Sequence, residues 1–301
     1  MDTSRVKNIM IVLLSVAIVV LSVLIFMEGE RYTLTADGEE NVVAVLARNQ
    51  VTVSTEIPRD FRPRRQLNLG FYDYDLEGIA ARFFGEIEFG REIAPNFVEY
   101  YCDYTGQTMT RQNRGGYIGF AIPEGLLLGD ARYGFAKNSA SAEALAHTFI
   151  EQVLESTPMA WNSTFLTWNG NYVITFFDEH EGYLLFNNQI RVRITEAGIV
   201  SAFYSRTTNS GFIGDTGAIF SPDEAMLALL IYIRTTYATD LRIDITGMRL
   251  VYAMGTGGRG VPAYFFTVTK GDGHWVYYHL INAYTNTIIP SGTTVVSGPH
   301  L

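Results

Sequence analysis

The chain has 301 residues, a formal charge of −9 at pH 7 and 48% hydrophobic residues. This acidic balance argues against nucleic-acid binding, because a negative surface repels phosphate groups, and also against a domain that lies flat on anionic lipid. The single cysteine, Cys102, excludes an intrachain disulfide, and its strand-like surroundings predict a packed thiol rather than a reactive one. An external domain without disulfides is typical of a bacterial surface.

The first element in chain order is an uncharged apolar stretch over residues 9–27. As a helix it measures about 28 Å, close to the thickness of a bilayer's hydrocarbon core. The stretch is longer than the apolar core of a signal peptide and lacks an Ala-x-Ala cleavage pattern, so the sequence predicts a retained transmembrane helix. Arg5 and Lys7 precede the helix, which predicts that residues 1–8 form a cytoplasmic stub and that residues 28–301 lie outside.

Two small polar residues lie within this predicted helix. Ser15 and Ser22 are seven positions apart and therefore share one helix face. Small polar residues on one face allow transmembrane helices to approach closely, which makes Ser15 and Ser22 candidate partner-contact residues. The alternative is that lipid simply tolerates the two serines.

Residues 28–122 are predicted to form a first α+β subdomain, followed by a linker over residues 123–140. A basic loop with four arginines is expected over residues 59–65. Apolar spacing of three and four residues predicts helices, and alternation predicts strands. The helices are expected over 38–48 and 75–84, and the strands over 51–56, 97–104, 107–113 and 117–122.

Residues 141–301 are predicted to form a second α+β subdomain with two helix-plus-sheet units. Ser141 is expected to cap a helix that ends near residue 155. Ser221 and Glu224 form a capping box around Pro222, which predicts a helix from there to about residue 237. The strands are expected over 165–168, 172–177, 183–194, 199–207, 243–254, 263–270, 274–283 and 287–290. The order of a helix and three or four antiparallel strands thus occurs three times, starting near residues 75, 141 and 221, which indicates the α+β class.

Two motifs suggest chemistry but lack the context that the chemistry needs. Residues 255–260 match G-x-G-x-x-G, yet a strand follows where a dinucleotide site requires a helix, so we expect a flexible hairpin loop. Asp215-Thr216-Gly217 resembles the active-site tripeptide of aspartic proteases. Those enzymes pair two aspartates, and one copy here would require a homodimer. We interpret this stretch as a linker between a strand and a helix and keep the protease as a remote alternative.

No metal, cofactor or catalytic site is predicted. Residues 73–78 begin like a calcium loop, but Phe84 occupies the position where a bidentate Glu is needed. His274 and His279 lie five positions apart on one strand and so point to opposite faces. Residues 178–181 cluster potential ligands in a turn without evident partners.

Several stretches together resemble the YycI family, also called WalI, which comprises bitopic regulators of a Gram-positive two-component system that controls cell-wall metabolism. The resemblance covers nearly the whole chain in order. Its segments are 5–27, 39–69 with Leu46, Val51 and Ile57-Pro58, 221–230, Leu250-Val251-Tyr252, Pro262-Ala263-Tyr264, Tyr277-Tyr278 and Ile281-Asn282-Ala283-Tyr284-Thr285.

The resemblance implies a non-enzymatic regulator in the membrane of a Gram-positive bacterium. Members of this family act with a YycH-like companion and contact a sensor histidine kinase through transmembrane helices and external domains. It also implies external PepSY-like modules and transfers no catalytic residues. Two other functions remain open from the sequence: an extracellular binding or inhibitor module for a wall fragment or a protease, and the dimeric aspartic protease.

Overall fold

The structure, a computed structural model, describes residues 10, 13–22, 31–112, 116–123, 136, 138–154, 161–166, 171–236, 242–271 and 275–290. From residue 31 onward the described residues form four α-helices and fifteen strands, which confirms the predicted α+β class. In chain order the elements are α1 (Ala36–Arg48), β1 (Val51–Val53), β2 (Arg64–Phe71), α2 (Leu76–Phe84), β3 (Gly90–Ile93), β4 (Phe97–Tyr101), β5 (Thr108–Gln112), β6 (Tyr117–Ala121), α3 (Ser139–Phe149), β7 (Trp161–Leu166), β8 (Tyr172–His180), β9 (Tyr183–Thr195), β10 (Gly198–Ser205), β11 (Thr207–Gly217), α4 (Pro222–Thr236), β12 (Ile243–Met254), β13 (Arg259–Lys270), β14 (Trp275–Asn282) and β15 (Thr287–Ile288).

The predicted transmembrane helix is described only in part. Residue 10 and residues 13–22 are helical, while the rest of the span 9–27 and the stub 1–8 lie outside the described residues. Among the helices that the structure describes, none combines the length and the apolar character that a membrane crossing requires.

The chain folds into two units, each an antiparallel sheet with two helices on one face. The first, which we call the inserted unit, contains α2, α3 and the strand order β7-β8-β9-β10-β6-β5-β4-β3. The second, the terminal unit, contains α1, α4 and the order β1-β12-β13-β14-β15, with β2 beside the start of β13 and β11 beside β2. Two contacts of β12 depart from the antiparallel pattern: β1 pairs with it in parallel, and so does β9 through Tyr252 and Leu185.

Each pair of helices buries its apolar face on its own sheet. In the terminal unit, Val42 and Leu46 of α1 and Leu229 of α4 contact a cluster that includes Tyr264 and Phe266 of β13. In the inserted unit, α2 and α3 contact β6, β8 and β9 through a second cluster, whose large members are Phe83, Phe84, Phe120, Phe149 and Phe176. Burial of such apolar surface is the main favourable term that holds each unit together.

A third apolar cluster joins the two units. Val173 and Phe177 of β8 and Phe186 of β9 contact Phe265 of β13 and Tyr278 of β14. The faces of the two sheets that carry no helices therefore pack on each other. The predicted boundaries at 28–122, 123–140 and 141–301 stay a prediction, and the apolar clusters group the elements differently, because α1 shares a core with α4 and α2 shares one with α3.

The predicted succession of one helix and several antiparallel strands is present three times: α2 with β3–β6, α3 with β7–β10 and α4 with β12–β15. Three strands were not predicted, namely β2, β3 and β11. Arg64 and Arg65, assigned to the basic loop, belong to β2. The stretch around Asp215, interpreted as a linker, belongs to β11, where irregularities of register accommodate the glycines.

Local capping explains two helix starts. The cap of α3 is Asn138 rather than Ser141: the Asn138 side chain accepts from the Ser141 N–H at 2.9 Å, and the Ser141 hydroxyl accepts from the Asn138 N–H at 3.0 Å. At α4, the Glu224 carboxylate accepts from the Ser221 N–H at 2.9 Å, as the capping box predicts. The Ser221 hydroxyl donates to Glu224 and Asp223 and so does not act as the acceptor of the box.

The chain passes between the units at two neighbouring points, at the end of β2 and the start of β11, where Phe71 pairs with Thr207. Asn188 of β9 fixes this point. Its buried side-chain oxygen accepts from the Thr207 N–H at 2.7 Å and from the Thr207 hydroxyl at 2.6 Å. Its amide nitrogen donates to the Asp178 carboxylate at 3.3 Å. A single amide therefore binds groups from both units.

Replacing Asn188 with Ala should lower the free energy of unfolding by about 2 kcal/mol, because the N–H and hydroxyl of Thr207 would stay buried without a partner. Urea denaturation of the full chain in detergent measures this change. Asn68→Ala is the matched control, since Asn68 is exposed on β2, and it should change the stability by less than about 0.5 kcal/mol. Equal stabilities of the two variants would contradict the role given to Asn188.

His279 of β14 gives the stability a dependence on pH. Its ring is buried beside Tyr232 and Tyr277, and burial lowers its pKa from the ordinary 6.5 to about 4. The unfolded chain therefore binds a proton between these values while the folded chain does not, so stability is lost as pH falls from 6.5 toward 4. We expect a loss of about 2 kcal/mol at pH 5 relative to pH 8. His279→Phe should remove this part of the pH dependence in denaturation series, and an unchanged profile would refute the assignment.

Candidate functional site

One pocket of about 500 Å³ opens in the terminal unit where β2, β11, β13 and the turn after β14 meet. The pocket brings together three stretches that stand apart in the sequence. They are the Asp215-Thr216-Gly217 tripeptide, the glycine-rich stretch at 255–260 through Arg259, and the Asn282–Thr285 part of the family pattern.

The wall of the pocket is built around Tyr284. Its hydroxyl donates to the carbonyl of Arg64 at 2.7 Å, and its backbone N–H donates to Asn282 Oδ1 at 2.9 Å. Burial raises the pKa of the Tyr284 hydroxyl, which keeps it a neutral donor. Gly217 lies against the ring, and a Cβ there would be 2.9 Å from Tyr284 Cε1. Close contact between β11 and the ring therefore requires a glycine at position 217.

Two opposite charges lie at the pocket. Asp215 of β11 and Arg259 of β13 both line it, and both side chains are exposed. Arg259 Nη1 donates to Gln66 Oε1 at 3.4 Å. Within the described part of the chain, the ion pairs involve other residues, so neither Asp215 nor Arg259 is neutralised by a salt bridge. The apolar side chains of Ile213 and Val261 also line the pocket.

The neighbouring strand β11 is the last strand on this side of the sheet. Its carbonyls at Phe212 and Gly214 accept from the Arg65 guanidinium at 3.2 and 3.1 Å. Gly211 and Gly214 have positive φ values, which interrupt the extended backbone. The two glycines thus limit further strand pairing on β11.

The arrangement suits binding better than bond cleavage. Asp215 is the one carboxylate among the described residues that line the pocket, and the aspartic protease mechanism needs two. The dimeric protease remains a prediction, because its second aspartate would come from another copy. Tyr284 Oη is engaged with a backbone carbonyl, which suits a structural role for this hydroxyl.

The glycine-rich stretch at 255–260 connects β12 to β13 as the expected hairpin, in which Met254 pairs with Gly260, and it reaches the pocket only through Arg259. The other motifs lie outside the pocket lining. Asp75 caps α2 by accepting from the Gly78 N–H at 3.0 Å, so the calcium-like stretch is a helix start. Cys102 is buried, as predicted for a packed thiol.

The remaining candidate ligands also stay apart from the pocket. Residues 178–181 lie at the β8–β9 turn, His279 is buried in β14, and His274 lies outside the described residues. Over the described ranges, no group of three His, Cys, Asp or Glu side chains is placed to hold a metal ion.

Ser15 and Ser22 both lie in the helical residues 13–22, and both are exposed. Their role as partner contacts stays a prediction. Sequence reasoning did not find the pocket itself, because Gln66 belongs to no motif and the glycine-rich stretch around Arg259 predicts only a hairpin loop. The usable signal was the alternation of Leu67, Leu69 and Phe71, which marks β2 and so brings Gln66 beside β11.

Comparisons with known proteins concern the fold. No protein-family model and no curated protein matches the chain. A crystal structure of an uncharacterized protein from Eubacterium rectale ATCC 33656 is similar with a TM-score of 0.50 and 14% identity, over 83% of this chain and 98% of that chain. This similarity supports the α+β architecture.

Two further solved structures are more distant. The C-terminal domain of YpeB from Bacillus megaterium has a TM-score of 0.35 and 16% identity, over 76% of this chain and 100% of that chain. YycH from Bacillus subtilis has a TM-score of 0.39 and 12% identity, over 70% of this chain and 53% of that chain. These two scores are too low to establish a shared fold or function.

Replacing Tyr284 with Phe tests how the pocket wall is held. The variant keeps the ring but loses the hydrogen bond to the Arg64 carbonyl, and we expect the free energy of unfolding to fall by about 1 kcal/mol. Chemical denaturation measures the change. Tyr104→Phe is the control, because Tyr104 is 94% exposed and should be neutral. A Tyr284→Phe variant as stable as this control would show that the bond does not stabilise the wall.

Proposed function

We propose that the chain is a non-enzymatic, membrane-anchored regulator that binds a sensor histidine kinase together with a YycH-like companion. The observation that carries the proposal is the exposure of the apolar residues at 13–22. Leu13, Leu14, Ile18 and Val19 have exposed fractions of 57–64%, and neighbouring apolar positions are similar. Four consecutive residues, 18–21, point to all sides of a helix. Such a surface is unfavourable in water and requires lipid or partner helices.

The rest of the chain supports a role in binding. Its folded part is acidic and is located, in this proposal, outside the cell of a Gram-positive bacterium, as the resemblance to the YycI family implies. A regulator of this kind changes kinase output only if it binds the signalling states of the kinase with different affinities. The chain would therefore act as an equilibrium partner and needs no reaction of its own.

A second candidate function is an extracellular binding or inhibitor module for a wall fragment or a protease. The pocket between Asp215 and Arg259 is the observation that favours it. The two functions differ in their need for the apolar helix, because a binding module should work when residues 28–301 are released from the membrane. For the remote protease alternative, Asp215→Ala with unchanged function is the decisive outcome against it.

The Ser15→Leu, Ser22→Leu double variant tests the regulator. The variant keeps the helix apolar but removes its small-residue face. We expect it to remain attached to the membrane but no longer to co-purify with the kinase or to change the kinase output. Detergent extraction, affinity purification and mass spectrometry identify the kinase. The Val16→Leu, Val20→Leu variant is the matched control on the same helix and should behave as the unaltered chain.

One result would count against the regulator, and another would count only against the contact through the apolar helix. If the unaltered chain recovers neither a histidine kinase nor a YycH-like protein from membranes, the proposed partners are wrong. If the serine variant retains kinase output, residues 9–27 serve only as an anchor and the contact must lie in the folded domain.

A further inference from the structure

We propose that the pocket beside Asp215 and Arg259 binds a small zwitterionic ligand of dipeptide size, with its carboxylate at Arg259 and its ammonium group at Asp215. This site lies in the folded domain and is separate from the helix that carries the proposed regulation. The proposal therefore holds or fails independently of the histidine kinase.

The size and lining of the pocket set the class of ligand. A volume of about 500 Å³ is within the range of small-molecule sites and exceeds that needed for a single ion. Ile213 and Val261 add apolar side chains to the lining, and Ile213 is half-buried, which suits a ligand that carries an aliphatic side chain as well as two charged ends.

The charges set the ends of the ligand. Arg259 offers N–H donors that match a carboxylate, and Asp215 offers acceptors that match an ammonium group. A purely anionic ligand such as a phosphate would bring its charge close to the Asp215 carboxylate, and a purely cationic one would do the same at Arg259. A zwitterion satisfies both side chains when water is displaced.

The side-chain amides of Asn282 and Gln66 add hydrogen-bond donors to the pocket. Asn282 Oδ1 accepts from the Tyr284 N–H, and Gln66 Oε1 accepts from Arg259. Among the described residues, neither amide NH2 group has an acceptor, so both remain able to donate. A peptide carbonyl is a suitable acceptor for such a donor.

The backbone around the pocket argues against a long extended peptide. Such a ligand would have to add a strand to β11, and positive φ at Gly211 and Gly214 breaks the repeat that a paired strand needs. A compact ligand avoids this obstacle.

The probes are Gly-Xaa dipeptides that cover all side-chain classes, each tested free, N-acetylated and C-amidated. Saturation-transfer NMR and isothermal titration use the full chain in lipid nanodiscs. We expect saturable binding of at least one free dipeptide, with about tenfold weaker binding of each blocked form, because each block removes one charge-assisted hydrogen bond.

Variants of Asp215 and Arg259 test which end of the ligand each residue binds. Asp215→Asn should weaken the free dipeptide about tenfold and leave the N-acetylated form unchanged. Arg259→Gln should weaken the free dipeptide and leave the C-amidated form unchanged. Asp103→Asn and Arg48→Gln are matched controls, because both residues are exposed and lie outside the pocket lining, and they should bind as the unaltered chain does.

Three results would overturn the proposal when thermal unfolding shows that the variants are folded. The first is the absence of binding across the whole dipeptide set. The second is equal affinity for free and blocked forms, or binding that the Asp215 and Arg259 variants leave unchanged. The third is cleavage of the probe, detected by mass spectrometry and lost in Asp215→Asn, which would assign a hydrolytic role to this residue instead. None of these readouts involves the kinase, so they leave the proposed regulation untouched.

Discussion

Two adjacent asparagines of β9 connect the inserted unit to the terminal unit through side-chain hydrogen bonds. Asn188 accepts from the N–H and the hydroxyl of Thr207, where the chain re-enters the terminal unit. Asn187 accepts from the Met254 N–H at 2.6 Å, near the end of β12. Both side chains belong to β9 of the inserted unit and both bind backbone groups of the terminal unit. Asn188 is buried and Asn187 is half-buried, and amide hydrogen bonds at such positions add geometric specificity that apolar contacts between two sheets lack.

Apolar packing beside these hydrogen bonds explains why a chain with a large insertion forms one body. The β8–β9 hairpin extends beyond the inserted sheet and contacts β12, β13 and β14. A smaller cluster of Leu67, Leu69, Leu185 and Tyr252 fills the space where β2 meets β9. The Tyr252 hydroxyl donates to the Arg65 carbonyl at 2.8 Å, so a hydrogen bond accompanies the apolar packing of this cluster. The apolar term supplies most of the free energy, and the polar groups fix the relative position of the strands.

Local sequence patterns predicted the helices and most strands well, because each depends on spacing or capping within a few residues. The helix at Ser221 and the apolar strands β8, β9 and β13 are examples. The patterns failed where tertiary contacts decide. Strand β11 contains three glycines, and it exists because β2 provides a partner for its backbone. The pocket was not predictable for the same reason, since Gln66, Asp215 and Arg259 meet only through the pairing of β2 with β11 and β13.

The pairing of β2 also connects the pocket to the segment that precedes α1. The segment that precedes α1 is bound to the loop before β2: the Leu34 N–H donates to the Arg59 carbonyl at 2.8 Å, and the Phe61 N–H donates to the Tyr32 carbonyl at 3.0 Å. The same loop leads directly into Arg64 and Arg65, whose backbone and side chain contact Tyr284 and β11 at the pocket. Hydrogen bonds and the backbone of this loop together therefore connect residues 32–34 with the pocket wall. Contiguity alone transmits nothing. It becomes a coupling only if a bound ligand and a bound kinase each favour one of two arrangements of this loop, and then each must change the affinity for the other by the same factor.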